Sequence, residues 1–94
     1  MFGMIGKMRA AAGERANLIA ILSEHTQTMP GRLHYIIMED QSDPDGLWIT
    51  EVWQTEESHK ASLQLDSVRA AIAKARPMIA GFDISVKANP VAGV

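Results

Sequence analysis

Two consecutive segments, Leu33–Glu39 (LHYIIME) and Leu47–Trp53 (LWITEVW), read as strands with bulky residues on both faces. In the first, Leu33, Tyr35 and Ile37 oppose Ile36 and Met38. In the second, Leu47, Ile49 and Trp53 oppose Trp48 and Val52. Between them Ser42-Asp43-Pro44-Asp45-Gly46 is a strong turn signal, so the pair reads as a hairpin. A strand with one polar side can leave that side in water, whereas a hairpin apolar on both sides cannot. The fold must therefore cover both faces of this hairpin, and a chain of 94 residues has little else to cover them with.

The flanking segments fill in the order. Phe2 to Met8 reads as a short strand with Phe2, Met4, Gly6 and Met8 on one face, and Gly6 leaves room for a close approach. A helix from about Glu14 to Met29 carries Leu18, Ile21, Leu22, His25 and Met29 on its inner stripe, and Pro30-Gly31 stops it. After the hairpin, Thr55 is a plausible N-cap, with Glu56 and Glu57 in the first turn where carboxylates favour the positive helix end. Glu56 and Lys60 have i,i+4 spacing for an ion pair. Asp66 caps a further helix with Val68, Ala71, Ile72 and Ala75 inward and Arg69, Lys74 and Arg76 outward; it ends before Pro77. Phe82 to Ala88 is a last strand and Asn89 to Val94 a tail.

The order β-α-β-β-α(α)-β is the split βαβ arrangement of ferredoxin-like folds, an α+β class. Right-handed crossovers place the helices on one face of a four-stranded antiparallel sheet. The other apolar face then calls for a second copy, so residues 1–94 read as one domain that pairs with itself as a homodimer. Nine basic and eleven acidic residues without a basic run point away from nucleic acid and anionic membrane as partners. No apolar run approaches the length of a membrane span and no signal-peptide layout is seen, so a cytoplasmic location is expected. The absence of cysteine excludes thiolate nucleophiles, disulfides and cysteine-ligated metal centres.

The chemistry concentrates around the Thr55 helix. Its expected inner side carries Ser58, Ala61, Ser62 and Leu65 with His59 on the flank, directly after a strand holding Glu51 and Trp53. Polar groups aimed into a core need partners or a cavity, and this pattern favours a cavity between sheet and helices. His59 supports two roles: a general base that takes a phenolic proton near neutral pH, or a helix-flank histidine bonded to a carboxylate or water. Glu51 either orients His59 or accepts a proton, or else pairs with a cation across the dimer. Trp53 offers a flat surface for stacking as readily as a core position, whereas Trp48 reads as core or interface. Ser62 and Ser58 are hydrogen-bonding or small packing groups of the cavity, with no base partner to make Ser62 a nucleophile. Tyr35 joins them from the preceding strand. His25, on the inner stripe of the first helix, is a satisfied half-buried histidine or a group with access to the cavity. Met4, Met8, Met29, Met38 and Met78 read as adaptable core or cavity lining. The three histidines show no metal-ligand spacing, and no glycine-rich phosphate loop is present.

The chain resembles the antibiotic biosynthesis monooxygenase (ABM) domain family, whose members include quinol monooxygenases. The resemblance rests on Pro30-Gly31 followed by Tyr35, on Glu51-Val52-Trp53, on the helix with His59, Ser62 and Leu63, and on Arg76-Pro77-Met78-Ile79-Ala80-Gly81-Phe82. It implies a dimeric α+β barrel and oxidation of a small phenolic or quinol-like aromatic with O₂, often with no cofactor. Many members carry a helix histidine nine residues after the strand tryptophan; here that place is Ser62, and the histidine is His59. Haem-degrading relatives need an asparagine and a histidine where this chain has Gly6 and Ile72, which argues against haem chemistry. A cofactor-free isomerase using His59 and Glu51, or a non-enzymatic dimeric binding module, are the alternatives.

Overall fold

Strands β2 (Arg32–Glu39) and β3 (Gly46–Trp53) form the expected hairpin, and side chains of the turn hold it. Asp40 Oδ1 accepts the backbone N–H groups of Ser42 and Asp43, both at 2.8 Å, and Asp43 Oδ1 accepts that of Asp45 at 3.0 Å. These are the local turns for which short acidic side chains are suited. Arg15 then clamps the turn to the first helix. Its Nη1 donates to the carbonyls of Asp40, Asp43 and Gly46 at 2.9–3.3 Å, and its Nη2 lies 3.2 Å from Glu39 Oε2.

The computed structural model describes residues 1–24 and 29–94. The remaining elements are β1 (Phe2–Ala10), α1 (Arg15–Glu24), α2 (Glu56–Ser62), α3 (Asp66–Ala75), a 3-10 turn (Arg76–Met78) and β4 (Ile79–Ala88). All strand pairs are antiparallel and the sheet order is β2-β3-β1-β4. This is the α+β ferredoxin-like arrangement that the segment order predicts. Leu18 and Ile21 of α1 and Ala71 and Ala75 of α3 are buried, the 3.6-residue stripes that a helix on a sheet requires. Leu47, Ala10, Leu18, Ile21 and Ala75 form the packed core, with Met8, Ile37, Ile49, Met78 and Ile79 against it.

The two sheet faces differ in their cover. The inner row of β3, Leu47, Ile49, Glu51 and Trp53, faces the helices, and it changes character along its length: Leu47 and Ile49 join the core, Glu51 and Trp53 line a cavity. On the outer face Ile5, Ile36, Met38, Ile84 and Val86 are each at least 40% exposed. Trp48, also on that face, is half-buried and its indole N–H donates to Asp40 Oδ2 at 2.8 Å. Among the described residues no helix is long and apolar enough to cross a membrane.

Four details depart from the sequence reading. Leu33 is not an inner residue of β2: the register slips between Arg32 and His34, so Arg32 pairs with Trp53 and Leu33 is the extra residue of a bulge. Met29, expected on the helical stripe, stands outside any helix. Asp66 is the first residue of α3 rather than its cap; Leu65 holds that position with no side-chain hydrogen bond. Glu56 pairs with Lys87 of β4 at 2.9 Å instead of with Lys60, and that ammonium holds its carboxyl below the usual range.

One backbone position is sterically closed. Gly31 has φ of +81°, and a Cβ there would lie 2.5 Å from Ser58 Oγ and 2.6 Å from its Cβ. Gly31→Ala combines left-handed strain of about 1–2 kcal/mol with that overlap. Urea unfolding of this variant is expected to show a loss of at least that size.

Candidate functional site

The site is assembled where the ends of β2, β3 and α2 are fastened together. Gln54 N–H donates to the Gly31 carbonyl at 2.7 Å, tying the end of β3 to the segment before β2. Thr55 caps α2 as expected: its Oγ1 accepts the Ser58 N–H at 3.0 Å, with backbone φ and ψ of −144° and 160°. Gly31 packs directly on Ser58. The three junctions place Arg32, Glu51, Trp53 and His59 around one space.

That space is a cavity of about 300 Å³ between sheet and helices. Its walls are largely apolar, from Met8, Leu22, Met29, Val68, Ile72 and Phe82. Its polar groups are Arg32, Tyr35, Glu51, His59 and Ser62. A concave apolar site with a few converging polar groups is the usual form of a small-molecule pocket.

Each polar group has a defined setting. Tyr35 and Glu51 face each other across β2 and β3. The Arg32 guanidinium lies 4.7 Å over the Tyr35 ring centroid, and Arg32 Nη1 donates to Met29 Sδ at 3.6 Å. Trp53, 2% exposed, donates its indole N–H to Glu51 Oε1 at 3.1 Å. The His59 ring meets Trp53 edge-on at 5.4 Å between centroids and lies 5.9 Å from the Phe2 ring. Among the described residues no group hydrogen-bonds to the His59 ring nitrogens. Of the roles open to Glu51, a hydrogen bond to His59 is not formed; its carboxylate accepts from the Trp53 indole, whose ring meets His59 edge-on.

Burial, and then the neighbouring Glu51 carboxylate, push the Tyr35 phenol up to about 12, with Arg32 partly opposing them. Tyr35 is the sole tyrosine of the chain, so its phenolate absorbance is unambiguous. Alkaline titration is expected to place the midpoint near 12, and Glu51→Gln to lower it by removing the negative neighbour. The sign for stability follows: with a folded pKa above the ordinary 10.0, the fold loses stability as pH rises from about 10 through about 12.

Of the residues singled out from the sequence, His59, Glu51, Trp53, Ser62 and Tyr35 border the cavity together. Ser62 is buried, and its hydroxyl donates to the His59 carbonyl at 2.6 Å, so it braces the helix turn. Ser58 faces a neighbouring cleft with Pro30, Gly31 and Gln54, and its hydroxyl is 2.8 Å from Thr55 Oγ1. Ala61 and Leu65, expected inside, are exposed, because α2 ends at Ser62 and turns His59 and Ser62 inward. His25 lies outside the described residues. Arg32 is the cavity residue that strand alternation conceals: unbroken pairing would put it on the outer face with His34 and Ile36, and the Leu33 bulge turns it inward. Phe82, 70% exposed, is a wall residue that the sequence marks only as the start of the last strand and the end of the Arg76–Phe82 run. Among the described residues no three His, Asp or Glu side chains are grouped to hold a metal ion.

A ferredoxin-like sheet with such a cavity under its helices defines an α+β domain with room for a small molecule. The sequence then gives its family: residues 1–74 match the profile of the antibiotic biosynthesis monooxygenases, and the chain belongs to that family. A crystal structure assigned by name to that group, from Chloroflexus aurantiacus J-10-fl, is 55% identical with a TM-score of 0.95, covering 99% of this chain and 95% of that one. A similarly named Deinococcus radiodurans structure is 24% identical with a TM-score of 0.81, covering 100% and 96%. One from Nitrosomonas europaea is 14% identical with a TM-score of 0.85, covering 98% and 100%. The last two show the common fold alone. No curated protein matches the sequence.

Proposed function

We propose that the chain is a cofactor-independent monooxygenase that oxidises a small aromatic quinol or polyphenol with O₂. The observation that carries this reading is the cavity wall on which His59, Tyr35, Arg32 and the Trp53 ring converge, in an otherwise apolar space of about 300 Å³. A phenolic ring lying along Trp53 presents its hydroxyl to His59, whose imidazole takes the proton as general base. The phenolate that forms is favoured by the Arg32 guanidinium and by the Tyr35 hydroxyl, which keeps its proton well above neutral pH and so donates a hydrogen bond. Glu51, held by the Trp53 indole, fixes the ring on which the substrate lies.

The chemistry balances without an external reductant. The electron-rich anion supplies electrons to O₂, one oxygen atom enters the ring, and the other leaves as water with the protons released. One quinol and one O₂ thus give one hydroxyquinone and one water. The protein's part is desolvation, orientation and anion stabilisation. Oxygen uptake with a panel of quinols, corrected for spontaneous oxidation, tests the reading. Turnover that persists without O₂ would instead favour a proton-shift reaction by the same groups.

The reading includes a homodimer through the outer sheet face, supported by the exposed row Ile5, Ile36, Met38, Ile84 and Val86. Sedimentation at micromolar concentration is expected to give a dimer, and Ile36→Asp to weaken it. A stable folded monomer of the unaltered chain would contradict this part.

A further inference from the structure

The floor of the cavity continues past its main space. A trough of about 200 Å³ runs along β1 toward β4 and shares Met8, Glu51 and Phe82 with the main cavity. Gly6 lies in this trough, opposite Ile49 on one side and Ser85 on the other.

A glycine inside a strand weakens it, so a reason for it is expected. Three ordinary reasons fail here. Among the described residues positive φ is confined to Gly13, Gly31 and Gly93, so Gly6 does not need glycine's backbone freedom. A Cβ at Gly6 would meet the Ile84 carbonyl oxygen at 3.5 Å, an ordinary contact, and nothing else among the described residues within 4 Å, so none of them forbids a side chain. The two bulges of this strand pair place their extra residues, Asp83 and Ala80, on β4, while Gly6 keeps regular pairing with Ser85. The remaining consequence of the missing side chain is space on a cavity wall.

We propose that Gly6 sets the length of aromatic ligand the site accepts: its bare backbone leaves the trough open for a ring that extends beyond the main cavity. Volumes give the scale. A cavity of about 150 Å³ holds one benzene ring, so the main space of about 300 Å³ is filled by two fused rings. A third must enter the trough between Met8, Ile49 and Phe82, over Gly6. A larger side chain at this position would shorten the site without touching His59 or Arg32.

This inference rests on the placement of the ligand proposed above, and binding without turnover keeps the two separable. The probes are 2-naphthol and 2-anthrol, which differ by one fused ring, with affinities read from their own fluorescence anisotropy. Gly6→Leu is expected to weaken 2-anthrol binding by roughly tenfold or more and to leave 2-naphthol within roughly twofold. Gly6→Ala, whose Cβ fits without strain, is expected to shift the ratio in the same direction with an unchanged or higher Tm. Equal effects on both probes, no effect on either, or failure of the unaltered protein to bind 2-anthrol would overturn the proposal. Loss of oxygen uptake with selective binding intact would count against the oxygenase reading and leave the role of Gly6 standing.

Discussion

Replacing His59 with phenylalanine is expected to slow quinol turnover by about 10²-fold or more while the protein stays folded. The ring contacts with Trp53 and Phe2 are met by another flat ring, so packing survives and the basic nitrogen alone is lost. His59→Ala removes those contacts too, adding a stability cost of about 1 kcal/mol for a lost aromatic pair. Comparison of the two variants separates a base from a packing residue. If both keep full activity, or if activity falls only as far as the melting temperature explains, His59 is a structural histidine. The affinity for an unreactive phenol should change little in the phenylalanine variant, because the Trp53 face and Arg32 remain in place.

The largest effect on stability is expected from Trp53→Ala, about 3–5 kcal/mol by analogy with other large aromatic truncations in cores. Trp53 is 2% exposed, borders both His59 and the cavity, and pairs in register with Phe2 and Arg32. Its indole N–H also satisfies Glu51. Trp53→Phe retains most of the ring but leaves the Glu51 carboxylate without that donor. Its expected cost is smaller, about 1–3 kcal/mol for an unsatisfied part-buried group. The double variant Trp53→Phe with Glu51→Met should recover part of that loss, since both partners are then apolar. Chemical denaturation of the three variants measures this. Equal stability of Trp53→Phe with and without Glu51→Met would show that the hydrogen bond has no energetic weight.

The legible parts of this fold are those set by local rules. The Asp-rich turn, the strand alternation of β3, the Thr55 cap and the stripe of α3 are each specified within a few residues, and each forms where local chemistry places it. What alternation could not reveal is the Leu33 bulge. Because a slip of one residue exchanges the faces of a strand, a single extra residue moved Arg32 from the outer row into the cavity. Long-range pairing was equally hidden. Glu56 has a plausible partner four residues away, yet it meets Lys87 from a strand that the sheet order brings beside it. The inner side of α2 was misplaced by extending the helical wheel past Ser62, where the helix ends and Leu65 becomes exposed. Within the site, residue types were readable and contacts were not. Glu51 beside Trp53 suggested a carboxylate serving His59, whereas the indole two residues away in the same strand is the group that holds it.

On the proposed reading, groups of this chain direct oxygen into a bound aromatic ring without a resident cofactor. The direct measurement is turnover of a quinol under isotopically labelled O₂, with protein freed of metals by chelation and the His59→Phe variant as control. The expected result is one labelled atom in each hydroxyquinone, one O₂ consumed per quinol, and a rate at least about 10²-fold above the variant. Unlabelled quinone formed with hydrogen peroxide at the rate of the variant, or activity that returns only when a metal is restored, would contradict the account.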